Sequence, residues 1–389
     1  MSVRQLLIAA VLLALIGVEV GVLLDWGAAP TPASAPASQA SPGASPSAPA
    51  TVAPLPSSSV PKTVVYLYYY MWWTPEHWLQ KLGAQYPSGS EHLPLPGRTN
   101  AQGCNPTTNF SGASIVDVPQ QGLYNQDQAS SYEIQIEEAV QAGVTGFLAS
   151  WQGTGTDHQS TKSSGYDRRL ALLVQAVDAY NASHPTAPFY LGLAFSAFGD
   201  YTRPASEILA DLDYFSRVYA HDPAFRNPFS SHPIVVFMDS RKFAVSTVAA
   251  VWNAEHADEY LVGDETPDSW SRDQAYLNAS TYYWSSEDPY TNHAAQADVA
   301  SLGQQVHSAA KKWFAPFTPG YDKQLAGGSC VPRDGVATLD KLWSINSASS
   351  PQAWFGISWN EFVENTYMQP SLAYGSTYLN ELKRLIQAG

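Results

Sequence analysis

The chain has 389 residues, with 20 Lys and Arg against 34 Asp and Glu and a formal net charge of −14. Phosphate backbones are held by clustered cations, so this balance excludes a nucleic-acid partner and favours a neutral or polar substrate. Charged residues are only 14% of the chain, whereas Phe, Trp and Tyr reach 12%, including 12 Trp and 22 Tyr. Aromatic rings in that number fill a core and also suit stacking on the apolar faces of sugars.

Residues Leu6 to Leu24 form a nearly continuous apolar run, with Arg4 before it and Asp25 after it. The length matches a bilayer span, and the preceding positive charge places the N-terminus in the cytoplasm. Glu19 interrupts the run, and the small residues Gly27-Ala28-Ala29 offer a cleavage region, so 1–27 is read as a signal anchor or a signal peptide. Either way the remainder is expected outside the cell, secreted or anchored facing outward, with the membrane as a partner if the segment is uncleaved. Residues 28–61 are almost entirely Ala, Pro, Ser, Thr and Gly, with no charge before Lys62. That composition cannot bury a core and forms an extended, disordered linker.

From residue 62 to 389 the sequence changes character. Apolar runs without polar alternation, the pattern of strands buried on both faces, recur at Thr63–Trp73, Gly146–Trp151, Phe189–Phe195 and Ile234–Asp239. They continue at Glu259–Asp264, Thr281–Trp284, Lys312–Phe317 and Trp354–Trp359. Helical periodicity separates them, as in Tyr132–Ala142, Asp167–Tyr180, Ser206–Tyr219 and Ala294–Ala310, and is weakest near Ser269–Leu277. Strict alternation over eight units predicts an α/β fold, a (β/α)8 TIM barrel spanning 62–389. An open doubly wound sheet is disfavoured, since no Gly-rich phosphate loop follows the first strand.

In such a barrel the residues just past each strand converge on one mouth. They include Tyr69, Tyr70 and Trp72, then Trp151 and Gln152, Asp239, Asp264, Tyr283, Tyr321 and Asp322. The last strand ends in Trp359, Asn360 and Glu361, with Glu364 three residues further on. Paired carboxylates in an aromatic-walled site are the requirement for glycosidic bond cleavage, one delivering a proton and one acting at the sugar. No His/Cys cluster has metal spacing and no G-x-S-x-G occurs, so neither metal nor cofactor is expected. Cys104 and Cys330 fall in loops flanking the eighth strand, where a disulfide would stiffen the rim of the mouth.

These residues resemble glycoside hydrolase family 99, the endo-α-mannosidase and endo-α-mannanase group. Tyr68-Tyr69-Tyr70-Met71-Trp72-Trp73 is similar to its aromatic first strand, and Ser150-Trp151-Gln152-Gly153 to its Ser-Trp-Trp-Gly motif. Pro319-Gly320-Tyr321-Asp322 with Arg333-Asp334-Gly335 is similar to its seventh unit. Trp359-Asn360-Glu361-Phe362-Val363-Glu364-Asn365-Thr366 is similar to its Asn-Glu-Trp-His-Glu-Gly-Thr signature. The resemblance implies a metal-independent, retaining endo-hydrolase acting on an oligo- or polysaccharide. Glu361 would act as base on the sugar 2-hydroxyl, which closes onto C1, and Glu364 as acid and then base. By that resemblance Tyr69, Trp72 and Trp151 would line sugar subsites; from their place at the mouth, Tyr70, Gln152, Asp239, Tyr283, Tyr321, Asp322, Trp359 and Asn360 are expected to complete the substrate contacts. Phe362, Val363 and Asn365 depart from the signature, Gln152 replaces a tryptophan, and Gln369 stands where a third Glu is common. Those departures leave open an α-glucan hydrolase of a family-71-like kind, or an exported barrel that binds glycans without cleaving them.

Overall fold

The structure is a computed structural model that describes residues 61–83, 86, 104, 115–154, 165–197, 200–323 and 329–389. The apolar leader and all but the last residue of the linker lie outside the described residues, and among those described no helix is long and apolar enough to cross a membrane.

Eight parallel strands close into a barrel: β1 (Val65–Tyr70), β2 (Gly146–Trp151), β3 (Tyr190–Phe195), β4 (Ile234–Phe237), β5 (Tyr260–Asp264), β6 (Ala279–Thr281), β7 (Lys312–Phe317) and β10 (Ala353–Gly356). The seam is closed by β1, which pairs with β10 at Val65↔Trp354 and with β2 at Tyr66↔Gly146. An antiparallel hairpin, β8 (Tyr321–Lys323) and β9 (Ser329–Val331), follows β7 outside the barrel. Among the described residues nine α-helices accompany the strands: α1 (Pro75–Leu82), α2 (Ser130–Gln141), α3 (Tyr166–Ser183), α4 (Ala205–Val218), α5 (Val245–Glu255), α6 (Pro267–Asp273), α7 (His293–Ser308), α8 (Ala337–Ser347) and, after the last strand, α9 (Thr377–Ala388). The (β/α)8 expectation is met for the described residues.

Side-chain direction alternates along each strand, which divides the core into layers. Tyr66 and Tyr68 of β1 point into the barrel with Leu148, Val236, Val262, Phe314 and Phe355. Val65, Leu67 and Tyr69 point the other way, to the layer beneath the helices, with Phe147, Phe195, Phe237 and Phe317. The interior is thus a packed plug, and chemistry is confined to the open end. Gly356 has a steric cause: a Cβ there would overlap Leu67 and Phe317.

Several strand boundaries differ from the sequence reading by one to three residues, and the causes are plain at β6 and at the last strand. β6 starts earlier, where Asn278 exchanges hydrogen bonds with Leu261, and it ends before Tyr283, whose N–H donates instead to the Asp264 carboxylate at 2.8 Å. The eighth barrel strand stops at Gly356, because Ser358 N–H turns to Thr366 O at 2.9 Å. Helix α1 was absent from the sequence reading although its signals are plain: the Thr74 hydroxyl accepts from His77 N–H at 3.3 Å and Pro75 opens the first turn.

Candidate active site

Past β10, residues 357–369 fold back on themselves at the barrel mouth. Ser358 Oγ accepts from Glu361 N–H at 2.9 Å and meets Thr366 Oγ1 at 3.0 Å, while Thr366 N–H donates to Glu361 O at 3.1 Å. Asn360 ties this loop to the barrel: its Oδ1 accepts from Tyr70 N–H at 2.8 Å and its Nδ2 donates to Tyr70 O at 2.9 Å. Its amide thereby continues the ladder of β1 with a side chain in place of a strand. Glu361 and Glu364 project from the loop so fastened.

Glu361 is buried, and its Oε1 accepts from Val363 N–H at 2.7 Å and Glu364 N–H at 3.2 Å. Burial first, and then the neighbouring Glu364, push its carboxyl up to about 8, against the pull of those N–H bonds and of Lys323. Glu364 is more open, and its Oε1 lies 3.1 Å from Lys323 Nζ. Tyr70 and Tyr283 both lie in the field of the two glutamates, and their hydroxyls meet at 2.6 Å. Burial, with the glutamates adding to it, drives both phenols far above their ordinary range, so they are neutral hydrogen-bonding groups. Trp72 stacks on Tyr70 with ring centroids 4.5 Å apart and walls this side. Gln152 reaches the site through Tyr166, which it hydrogen-bonds and which feels the Glu361 charge. The arrangement offers a buried carboxyl pushed up by its burial, a second carboxyl at the opening, neutral phenols and an aromatic wall. Among the described residues no group of three or more His, Cys, Asp or Glu side chains is placed to hold a metal ion.

Several expected site residues stand elsewhere, and for Tyr69 and Trp151 strand alternation is the reason. Tyr69 faces the helices, stacked on Phe147 at 4.6 Å with its hydroxyl accepting from Gln126. Trp151 also faces outward, packed beside Phe195, Tyr214 and Phe215. The Trp359 ring lies under the helices 5.1 Å from Phe147, and its Nε1 donates to Gln135 at 2.8 Å. All three are fully buried, so the expectation that they contact a sugar is corrected. Asn360 is equally buried, its amide bonded to the Tyr70 backbone and to the Tyr124 hydroxyl. Asp239 holds Arg241 at 2.7 Å, Lys242 at 3.0 Å and the Tyr201 hydroxyl at 2.8 Å, a surface cluster built from its own loop and its neighbours. Tyr321 and Asp322 are buried in the hairpin, where Asp322 N–H donates to Glu364 O at 2.9 Å. Cys104 and Cys330 form a disulfide with Cα atoms 6.0 Å apart.

The signature departures have structural explanations. Phe362 points away from the mouth, stacked on Tyr367 at 4.2 Å in a satellite core with Trp73 and Trp78. Asn365 sits at φ 54°, the left-handed region that favours Gly and tolerates Asn. Its Nδ2 donates to Asp322 O at 2.6 Å. Only Val363 among the three is partly exposed. Gln369 is buried and accepts from the Tyr124 hydroxyl at 3.1 Å.

Comparison with solved structures supplies the relatives of this architecture. The GH99 endo-alpha-mannosidase from Bacteroides thetaiotaomicron, alone and in complex with bis-tris propane, superposes with a TM-score of 0.62 at 16% identity, over 85% of this chain and 98% of that one. The chain shares its fold. A glycoside hydrolase-like protein superposes with a TM-score of 0.59 at 11% identity, over 86% of this chain and 98% of that one. No protein-family model and no curated protein matches the sequence.

Lys323, Tyr166 and Tyr124 were missed from sequence. Lys323 belongs to a hairpin outside the barrel repeat, and Tyr166 begins a helix. Tyr124 lies on the long segment after β1, where its hydroxyl meets Asn360 Nδ2 at 3.3 Å. No local pattern marks Tyr166; Lys323 lies just beyond the noted Pro319-Gly320-Tyr321-Asp322 run, and Tyr124 lies in Gly122-Leu123-Tyr124-Asn125-Gln126-Asp127, a run with a family likeness in which no role was read for it.

Proposed function

We propose that this chain is a retaining, endo-acting glycoside hydrolase of α-linked glycans, with α-mannan-like polymers as first choice and α-glucans as the alternative. The observation that carries the reading is the placement of Glu361 and Glu364 on one loop at the barrel mouth, facing the bonded hydroxyls of Tyr70 and Tyr283. The shared fold with an endo-α-mannosidase supports it.

The pair divides the work. The two carboxyls share one proton, and the reacting form is the one that carries it on Glu364: Glu361, then ionised, takes the proton of the sugar 2-hydroxyl as that oxygen closes on C1, and Glu364 protonates the departing glycosidic oxygen. Glu364 then removes a proton from the water that reopens the anhydro-sugar at C1, giving a product with retained configuration. The acidic, aromatic-rich composition suits a neutral polymer. We place the enzyme outside the cytoplasm, secreted or tethered by its leader; the Cys104–Cys330 disulfide supports that compartment.

The test is incubation of the protein with α-mannans and α-glucans, with product masses and anomeric configuration read by mass spectrometry and proton NMR. Oligosaccharides released with retained configuration are expected, and Glu364→Gln is expected to abolish release while still binding the glycan. Full turnover by that variant overturns its assigned role, and binding without release from any polymer favours a non-catalytic barrel.

A further inference from the structure

Lys323 enters the mouth from the β8–β9 hairpin rather than from a barrel strand. The hairpin is docked on the catalytic loop by Asp322 N–H to Glu364 O at 2.9 Å and by Asn365 Nδ2 to Asp322 O at 2.6 Å. Across the hairpin Cys330 pairs with Asp322 and is joined to Cys104. Just beyond β9, the buried Arg333 donates to Asn365 O at 2.8 Å and Tyr367 O at 3.0 Å. The stem of Lys323 is therefore fixed to the segment that bears Glu364. Its Nζ lies 3.1 Å from Glu364 Oε1, with side chains 34% and 22% exposed, so the pair borders open space rather than the core.

We propose that Lys323 is a positioning residue for Glu364, holding Oε1 so that Oε2 is the oxygen presented to the leaving group. The inference rests on the hydrolase reading above. In the first step the Oε2 proton passes to the glycosidic oxygen as the C1–O bond breaks, the 2-hydroxyl oxygen bonds to C1, and its proton goes to Glu361. Glu364 becomes a carboxylate in that step, and an ammonium already at its side stabilises the charge as it develops. Among the described residues, the other groups facing the pair are Tyr70 from β1, Tyr283 beyond β6, and, toward Glu361, Tyr166 at the start of α3. None of these is a cation. The Lys323 charge also reaches Glu361, whose carboxyl it draws down.

Two measurements on Lys323→Met and Lys323→Arg test the proposal. The first is turnover of a glycan linkage beside that of the matching α-glycosyl fluoride, whose departure needs no proton. Lys323→Met is expected to lose roughly tenfold to a hundredfold on the glycan and little on the fluoride, with Lys323→Arg largely restored. Equal losses on both substrates, or no rescue by Arg, overturn it. The second, which needs no substrate, is the carbon-13 titration of the Glu361 carboxyl, assigned with Glu361→Gln. Its midpoint is expected to rise in Lys323→Met and to hold in Lys323→Arg; an unmoved midpoint in Lys323→Met overturns the proposal. A wild-type protein without any turnover strikes the hydrolase reading alone, because the titration still reports the ammonium.

Discussion

The hydroxyls of Tyr70 and Tyr283 meet at 2.6 Å across the barrel mouth, joining the end of β1 to the segment after β6. Each is held from behind: Tyr70 by the Asn360 amide on its backbone, and Tyr283 by Asp264, whose Oδ1 accepts its N–H at 2.8 Å. The Asp264 carboxylate is itself fully buried and paired with Arg241 at 2.5 Å. Tyr283→Phe removes one partner of a buried bond, at a cost of about 1 kcal/mol in stability. Its kcat/KM on a glycan is expected to fall roughly tenfold or more, measured beside Tyr70→Phe. A double variant no worse than either single one would show that the hydroxyls act as a unit.

Glu361 makes stability depend on pH with a definite sign. Its folded carboxyl stands at about 8 against an ordinary 4.5, so between those values the native state holds a proton that the unfolded chain has released. The contribution is fully present below about pH 4.5 and is lost as pH rises through about 8. Glu361→Gln abolishes the dependence, so the variant is expected to melt with the wild type near pH 4.5 and above it near pH 9, by a difference on the order of a few kcal/mol. Thermal melts across that range check it; parallel curves at all pH values refute it.

The Cys104–Cys330 disulfide closes a sequence separation of 226 residues and anchors the hairpin that carries Lys323. Replacing both cysteines by Ser is expected to cost about 3 kcal/mol of stability. Turnover measured well below the new melting temperature should fall as well, since the hairpin supports Glu364. Denaturant melts and rates on the same preparation separate the two effects.

Asn365 combines a left-handed backbone with a bond to Asp322 O at 2.6 Å. Asn365→Ala loses both and is expected to cost about 2 to 3 kcal/mol, whereas Asn365→Gly keeps the backbone preference and loses only about 1 kcal/mol. Chemical denaturation of the two variants ranks them.

Trp151 provides a contrast, because its ring is packed beneath the helices and not at the mouth. Trp151→Phe is expected to lower stability by about 1 to 3 kcal/mol while leaving KM for a glycan within about twofold. A raised KM at unchanged stability would place the ring back in a sugar subsite.

Much of the architecture was legible before any coordinates. Buried parallel strands carry unbroken apolar runs, and eight such runs separated by helical periodicity allow essentially one closed arrangement. The glutamates were legible too, because an apolar run that ends in Asn360-Glu361 with Glu364 behind it is a pattern in sequence itself. Where β10 leaves the sheet was not, since it depends on Ser358 finding Thr366 across the loop.

What the sequence by itself determined is therefore the barrel, its open end and the carboxylate pair placed there. Tertiary structure alone decided which aromatic side chains face that opening. Neighbours on a strand point in opposite directions, so Tyr70 reaches the mouth while Tyr69 packs against Phe147, and composition cannot tell them apart. Tertiary structure also brought Lys323 to Glu364, from a hairpin whose position depends on a disulfide between distant segments and on main-chain bonds to the loop that bears Glu361 and Glu364. Contacts of that kind join residues far apart in the chain, and no local periodicity encodes them.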